Sequence, residues 1–215
     1  MDDPALPEDR HRAALRGLRR IHRWTGTAGR LWPDVHTLSR EGRLPVRVLD
    51  VGCGDGAVAD GLARRAARDG VKLVVEGVDL SPRAGALAAG SAIRRVHVVD
   101  AVRGPLPGGF DLAVSTLFLH HLSAEDAAAV LKRMAASTRS GRVAVSDLAR
   151  GRLAWCWAWL GCRLLSRSRV VHRDGPQSVR AGWTADELRG LAEAAGLRSV
   201  RVRERWPFRL ELRAG

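Results

Sequence analysis

A chain of 215 residues that is 46% hydrophobic can bury one substantial core and leaves no room for two full domains. Its formal charge of +13 would ordinarily point to nucleic acid or an anionic membrane surface, yet Lys72 and Lys132 are the only lysines and the arginines are scattered along the chain, so composition rather than a partner accounts for most of it. Cys53, Cys156 and Cys162 are odd in number without paired metal-ligand spacing, the opening "MDDPALPEDRHR" lacks the apolar core of a signal peptide, and no stretch approaches membrane-spanning length, so a reducing cytoplasm is expected.

In chain order, residues 8 to 24 read as an amphipathic lead-in helix with Ala14, Leu15, Leu18 and Ile21 on one face. "VRVLDVGCGDG" is a buried strand entering a glycine-rich turn, and "AVADGLARRAARDG" is a helix closed by Gly70. The strand "KLVVEGVD" precedes "SPRAGALAAG", where Ser81 suits the N-cap and Pro82 the first helical position. Strands "RRVHVVD", "FDLAVS" and "GRVAVSD" follow, the last two separated by the helix "SAEDAAAVLKRMAAS". Beyond Asp147 come a Trp-rich stretch, a loop over 172 to 182 marked by Asp174, Gly175 and Pro176, the helix "TADELRGLAEAAG", and two strands joined at "RWPF". Strands alternating with helices predict an α/β fold: a doubly wound, Rossmann-like, mostly parallel seven-stranded sheet with an antiparallel last strand and helices on both faces.

The turn Asp50-Val-Gly52-Cys-Gly54-Asp-Gly56 brings backbone close to a ligand at a helix N-terminus. It satisfies the dinucleotide pattern by letter, but a carboxylate at Asp50 would repel a pyrophosphate and suits a ligand carrying an ammonium group. Asp79 ends the second strand, where it can accept two ribose hydroxyls, and Asp100 ends the third, where it can accept from an adenine amine. Together the three aspartates describe a cationic, adenosine-bearing cofactor.

In "VLDVGCGDG", "VEGVDLSP", "VVDA" and "FDLAVSTLFLHHLS" the sequence resembles the class I S-adenosylmethionine-dependent methyltransferases, in motif order and spacing, over about residues 45 to 148. The resemblance implies S-adenosylmethionine as cofactor. It assigns the methionine end to Asp50, Gly52, Cys53 and Gly54, the ribose to Asp79 and Leu80, and the adenine to Asp100 and Ala101, with Thr116 and Leu117 closing the site.

His120 and His121 end the fourth strand. Ser123 and Asp126 form a capping signature for the next helix, so both histidines fall on the turn at the carboxyl edge of the sheet, where ligands of such folds bind. Adjacent side chains on a turn point about 100° apart, and the other histidines lack a helix-face spacing to them, so no metal site is expected. "FLHHLSAED" is similar to the "His-Asp-Trp-Ser" segment of small-molecule O-methyltransferases, which makes His120 the candidate base; His121 and Leu122 depart from that pattern, and many relatives with "LHHL" do not use this histidine as a base. A backbone-bonded loop histidine is the competing reading.

Residues 150 to 169 carry Trp155, Trp157 and Trp159 in an arginine-flanked apolar helix. In this fold such an insertion roofs the active site, and Trp155 and Trp159, with Trp24 from the opposite side and Asp147 from the fifth strand, are expected to line a site for an aromatic or lipophilic acceptor. Core packing and contact with a membrane surface compete for the same helix. The chain is expected to divide into an N-terminal helical cap (1–40), a cofactor-binding core (41–148), the insertion (149–182), and a closing helix with the final strands (183–215). The expected activity is methylation of a small hydrophobic metabolite, on oxygen, in bacterial secondary metabolism. RNA methylation, C-methylation of a quinone-like or polyketide substrate, and a non-catalytic cofactor-binding domain are the alternatives. Nucleic acid is disfavoured because no "Asn/Asp-Pro-Pro-aromatic" segment follows the fourth strand. Monomer and homodimer both remain open.

Overall fold

A computed structural model describes residues 26–165 and 169–215. Seven strands form one sheet: β1 (Val46–Val51), β2 (Leu73–Asp79), β3 (Ile93–Val98), β4 (Leu112–Thr116), β5 (Val143–Leu148), β6 (Arg201–Arg205) and β7 (Arg209–Ala214), in the spatial order β3-β2-β1-β4-β5-β7-β6. Strands β1 to β5 pair in parallel, and β7 lies antiparallel to both β5 and β6. The expected mostly parallel sheet with an antiparallel last strand is therefore what the chain forms. The strand order reverses between β1 and β4, and in a doubly wound sheet that point opens a crevice at the carboxyl ends of the strands.

Alternate side chains of each strand feed two cores. On one face, α1 (Thr27–Arg40) and α2 (Ala57–Asp69) bury Leu31, Val35 and Leu62 against Val48, Val75 and Val114. Behind them, α3 (Pro82–Ala88) contributes Ala88. On the other face, α4 (Ala124–Ser137) and α7 (Ala185–Ala194) bury Leu131, Met134 and Leu188 against Val145 and Leu212. Central strands covered on both sides are buried nearly throughout, as β1 and β4 are.

Capping follows the sequence at Gly70 and Ser123. Gly70 takes a left-handed conformation at the end of α2, and Ser123 Oγ accepts from the Asp126 N–H at 3.1 Å to start α4. Thr184 and Glu187 form a reciprocal capping box on α7. Pro82 opens α3 as expected, but the Ser81 side chain makes no cap bond; its N–H is instead held by Asp79 Oδ1 at 2.9 Å.

One expectation is overturned. Residues 172 to 182, read as a loop, belong largely to α6 (Arg169–Ala181), which pairs with α5 (Arg152–Leu165). Val171 and Val179 are buried at helical spacing around Gly175, and a Cβ added at Gly175 would lie 2.2 Å from Cys162 Sγ of α5. Packing at that crossing outweighs the turn propensity of Gly175 and Pro176. The predicted lead-in helix, with Arg23 and Trp24, lies outside the described residues.

Candidate active site

The turn after β1 is built by backbone bonds. The N–H groups of Gly52 and Cys53 both donate to Val78 O, at 2.9 and 3.1 Å, and Gly56 N–H closes the turn on Cys53 O at 3.0 Å. Gly52 has φ +75°, and an added Cβ there would meet the Phe118 ring at 2.7 Å, so both conformation and space demand glycine. Gly54, at φ +51°, has nothing within 4 Å of an added Cβ and faces open space. The Cys53 side chain turns away into the core, where its Sγ sits 2.6 Å from a Cβ placed on Gly77, so only its backbone remains toward a ligand.

Asp50, the penultimate residue of β1, is 1% exposed, and among the described residues neither carboxylate oxygen has a hydrogen-bond partner. Burial, reinforced by Asp79 and Asp55, pushes its carboxyl up to about 7. A buried carboxylate without a donor is costly in the protein alone, and it matches a ligand that brings a cationic donor of its own. Asp79 stands beside it, with Oδ2 accepting the Gly54 N–H and Oδ1 the Ser81 N–H, both at 2.9 Å. Each of those oxygens retains a second lone pair for a hydroxyl. Leu80 is 67% exposed immediately after it, and Val98 at the end of β3 is 53% exposed, an apolar pair at the sheet edge suited to a nucleoside. Asp100 Oδ1 accepts from Val102 N–H at 2.8 Å, and Ala101 is buried beside it. Thr116 is buried at the end of β4, and Leu117 follows with φ +53°. Glycine turn, strand-end aspartates and exposed apolar edge thus suit the sulfonium cofactor expected from the sequence.

The two histidines separate cleanly. Leu119–His121 form a single 3₁₀ turn in which His120 is buried and His121 exposed, their rings 4.1 Å apart. His120 Nδ1 lies 2.6 Å from Asp147 Oδ1, and the His120 N–H donates to Asp147 Oδ2 at 3.3 Å. Asp147 is fully buried and also accepts the Leu148 N–H at 2.7 Å. Burial by itself raises its pKa, but the His120 hydrogen bond and charge, the Leu148 N–H and the nearby Arg209 together hold it below the ordinary carboxylate range. A carboxylate there accepts from Nδ1–H and leaves Nε2 as the proton-accepting nitrogen of the ring. Asp147, expected to face an acceptor, is instead committed beneath His120.

Two neighbours escaped the sequence reading. Phe118 covers Gly52, and Arg209, 2% exposed, approaches Asp147 because the antiparallel pairing of β7 sets Arg209 opposite Leu148. Burial pushes the Arg209 guanidinium down to about 10, with Asp147 opposing that shift. Arg209, one of two arginines in the final strand, carries no local signal of such a role.

Helix α6 packs against both α5 and the 3₁₀ turn that bears His120. On α5, Trp155, Cys156, Trp159 and Leu160 line an apolar groove of about 540 Å³. Arg180 lies 5.3 Å from the Trp155 ring centroid and Arg163 lies 3.9 Å from that of Trp159, both within cation–π range.

Comparison with known proteins shows the family. Residues 48–141 match the family model described as a methyltransferase domain. An uncharacterized methyltransferase of Mycobacterium bovis is 36% identical over 161 residues, covering 68% of this chain and 76% of that one. A ubiquinone biosynthesis O-methyltransferase of Ralstonia nicotianae is 30% identical over 167 residues; the match covers 73% of this chain and 65% of the relative's length. In three dimensions, the plantazolicin methyltransferase BpumL, solved with SAH, superposes with a TM-score of 0.73 over 99% of this chain and 90% of its own, at 14% identity, a likeness of fold.

Proposed function

The chain belongs to the class I S-adenosylmethionine-dependent methyltransferases, and from that premise we propose that it methylates a hydroxyl or carboxyl oxygen of a small aromatic or lipophilic metabolite, with His120 as the general base where that oxygen is a hydroxyl. When bound, S-adenosylmethionine supplies an electrophilic methyl group on a sulfonium. In this reading Asp50 and the backbone of Gly52, Cys53 and Gly54 hold the methionine end. Asp79 and Leu80 hold the ribose, Asp100 and Ala101 the adenine, and Thr116 and Leu117 close the site. Trp155 and Trp159 flank the acceptor, and the segment 149–182 shelters the reaction from water. The ubiquinone-pathway relative acts on oxygen by its name, which is consistent with this choice.

The observation that carries the proposal is the buried His120–Asp147 pair. Asp147 fixes the imidazole so that Nε2 can take the acceptor's proton as its oxygen gains the methyl, an arrangement worth about 10²-fold or more in rate. His120→Ala should therefore slow transfer to weakly acidic phenols by that factor, with cofactor affinity nearly unchanged and partial recovery at raised pH. Acceptors already ionised near neutrality should be almost insensitive. A uniformly small loss across acceptors of all acidities would leave positioning as the source of catalysis and remove His120 as the base.

A further inference from the structure

Helix α5 carries an apolar stripe that no described element covers. Leu153, Trp157, Leu160 and Leu164 recur at three- and four-residue intervals on one helix face, and they are 69, 48, 43 and 76% exposed. Trp206, 61% exposed, sits edge-on to Trp157 with centroids 5.2 Å apart and extends the stripe onto the β6–β7 turn. The opposite face of the helix, with Ala154 and Cys162, is buried, and Cys162 meets α6 at Gly175. An exposed contiguous stripe of this kind marks a surface that something else covers.

Charge identifies what covers it. Helix α5 itself carries Arg152 and Arg163 and no aspartate or glutamate, whereas Arg150 just before it is already paired with Glu187 of α7. A second copy packed through this face about a two-fold axis would set arginine against arginine with no carboxylate from either helix to pair them. An anionic lipid surface supplies the opposite charge, accepts tryptophan at the headgroup boundary and takes leucine into its acyl region. We infer that α5, together with Trp206, is an interfacial helix that docks this protein on an anionic lipid surface. Because α5 leaves β5 at the edge that holds Asp147 and His120, docking turns the active-site edge toward the lipid. This holds whichever atom of the acceptor is methylated.

The test is co-sedimentation of the full chain with vesicles of phosphatidylcholine alone or mixed with phosphatidylglycerol, alongside the double variant Leu153→Glu, Leu164→Glu. Wild type should bind the anionic vesicles with a blue shift in tryptophan emission and bind the neutral ones at least about tenfold more weakly. The double variant should lose anionic binding by about tenfold or more. It should keep S-adenosylmethionine affinity by calorimetry, which shows that it is folded. Failure of wild type to bind anionic vesicles at low salt overturns the inference, as does retained binding by the double variant, which would reduce the effect to diffuse surface charge. A wild-type dimer that the double variant converts to monomer would make this face a contact between copies, and binding to structured RNA lost in the same variant would make it an RNA surface; either result also overturns it.

Discussion

Asp50 meets no donor among the described residues, and burial beside Asp79 and Asp55 lifts its carboxyl to about 7. A carboxyl raised on folding lends stability that is fully present below its unfolded pKa near 4 and is lost as pH climbs through about 7. Without cofactor, Asp50→Asn should therefore stabilise the protein at pH 8 by more than about 2 kcal/mol and change it little at pH 5, as read by denaturant unfolding. An incoming ammonium reverses this preference by favouring the ionised form. Calorimetry in buffers of different ionisation enthalpy should show close to one proton released from this group on cofactor binding near pH 6 and none near pH 8.5; equal proton release in Asp50→Asn would place the titration elsewhere. Asp147 shows the opposite balance. Its donors outweigh its burial, so its contribution to stability is present above the ordinary carboxylate pKa and is lost only as pH falls through the depressed value.

At the scale of elements, the pairing of α5 with α6 decides how the His120 turn is covered. Gly175 lets the two helices cross closely, with Cys162 Sγ 2.2 Å from where a Cβ would stand. Glycine to alanine in a helix ordinarily gains up to about 1 kcal/mol, but overpacking of this degree costs about 1 to 3 kcal/mol, so Gly175→Ala should be a net loss. Removing the obstacle should reverse the sign. In a double-mutant cycle, Gly175→Ala placed on Cys162→Ala should be neutral or stabilising, and strictly additive effects would show that the helices do not meet there. Methyl transfer should fall in the single variant while cofactor affinity holds, because the β1 turn and the strand-end aspartates lie on other elements.

Across the whole molecule, the N-terminal helix is clamped to the last strand. Arg30 pairs with Glu211 at 3.0 Å, Arg213 pairs with Asp34 at 2.7 Å and also donates to Arg30 O at 2.7 Å, and buried Arg209 reaches Thr27 Oγ1 at 3.4 Å. Arg30, Arg209 and Arg213 are thus engaged within the fold, at partly or fully buried contacts, rather than presented on a nucleic-acid-binding face. Structured RNA should accordingly bind weakly, lose affinity steeply between low and moderate salt, and acquire no label from tritiated cofactor. Methyl incorporation into ribosomal RNA or tRNA would decide otherwise.

The features legible in the sequence were those whose cause is local. The Gly52–Gly56 turn, the aspartates at the ends of β1, β2 and β3, the Ser123 cap and the strand–helix alternation depend on residues close together in the chain, so spacing and residue type were enough to predict them. The doubly wound, mostly parallel sheet followed because right-handed crossovers leave few alternatives. Tertiary structure decided the rest. Asp147 reaches His120 across 27 residues only when β5 is laid beside β4, and Arg209 reaches Asp147 only when β7 returns antiparallel to β5. Helix α6 forms through an apolar stripe that needs α5 as its partner, against the turn propensity of Gly175 and Pro176. Local propensity is worth about 1 kcal/mol per residue, whereas burial of one large apolar side chain or satisfaction of a buried charge is worth more, so such partners, distant in sequence, settle what the local signal leaves open or misreads.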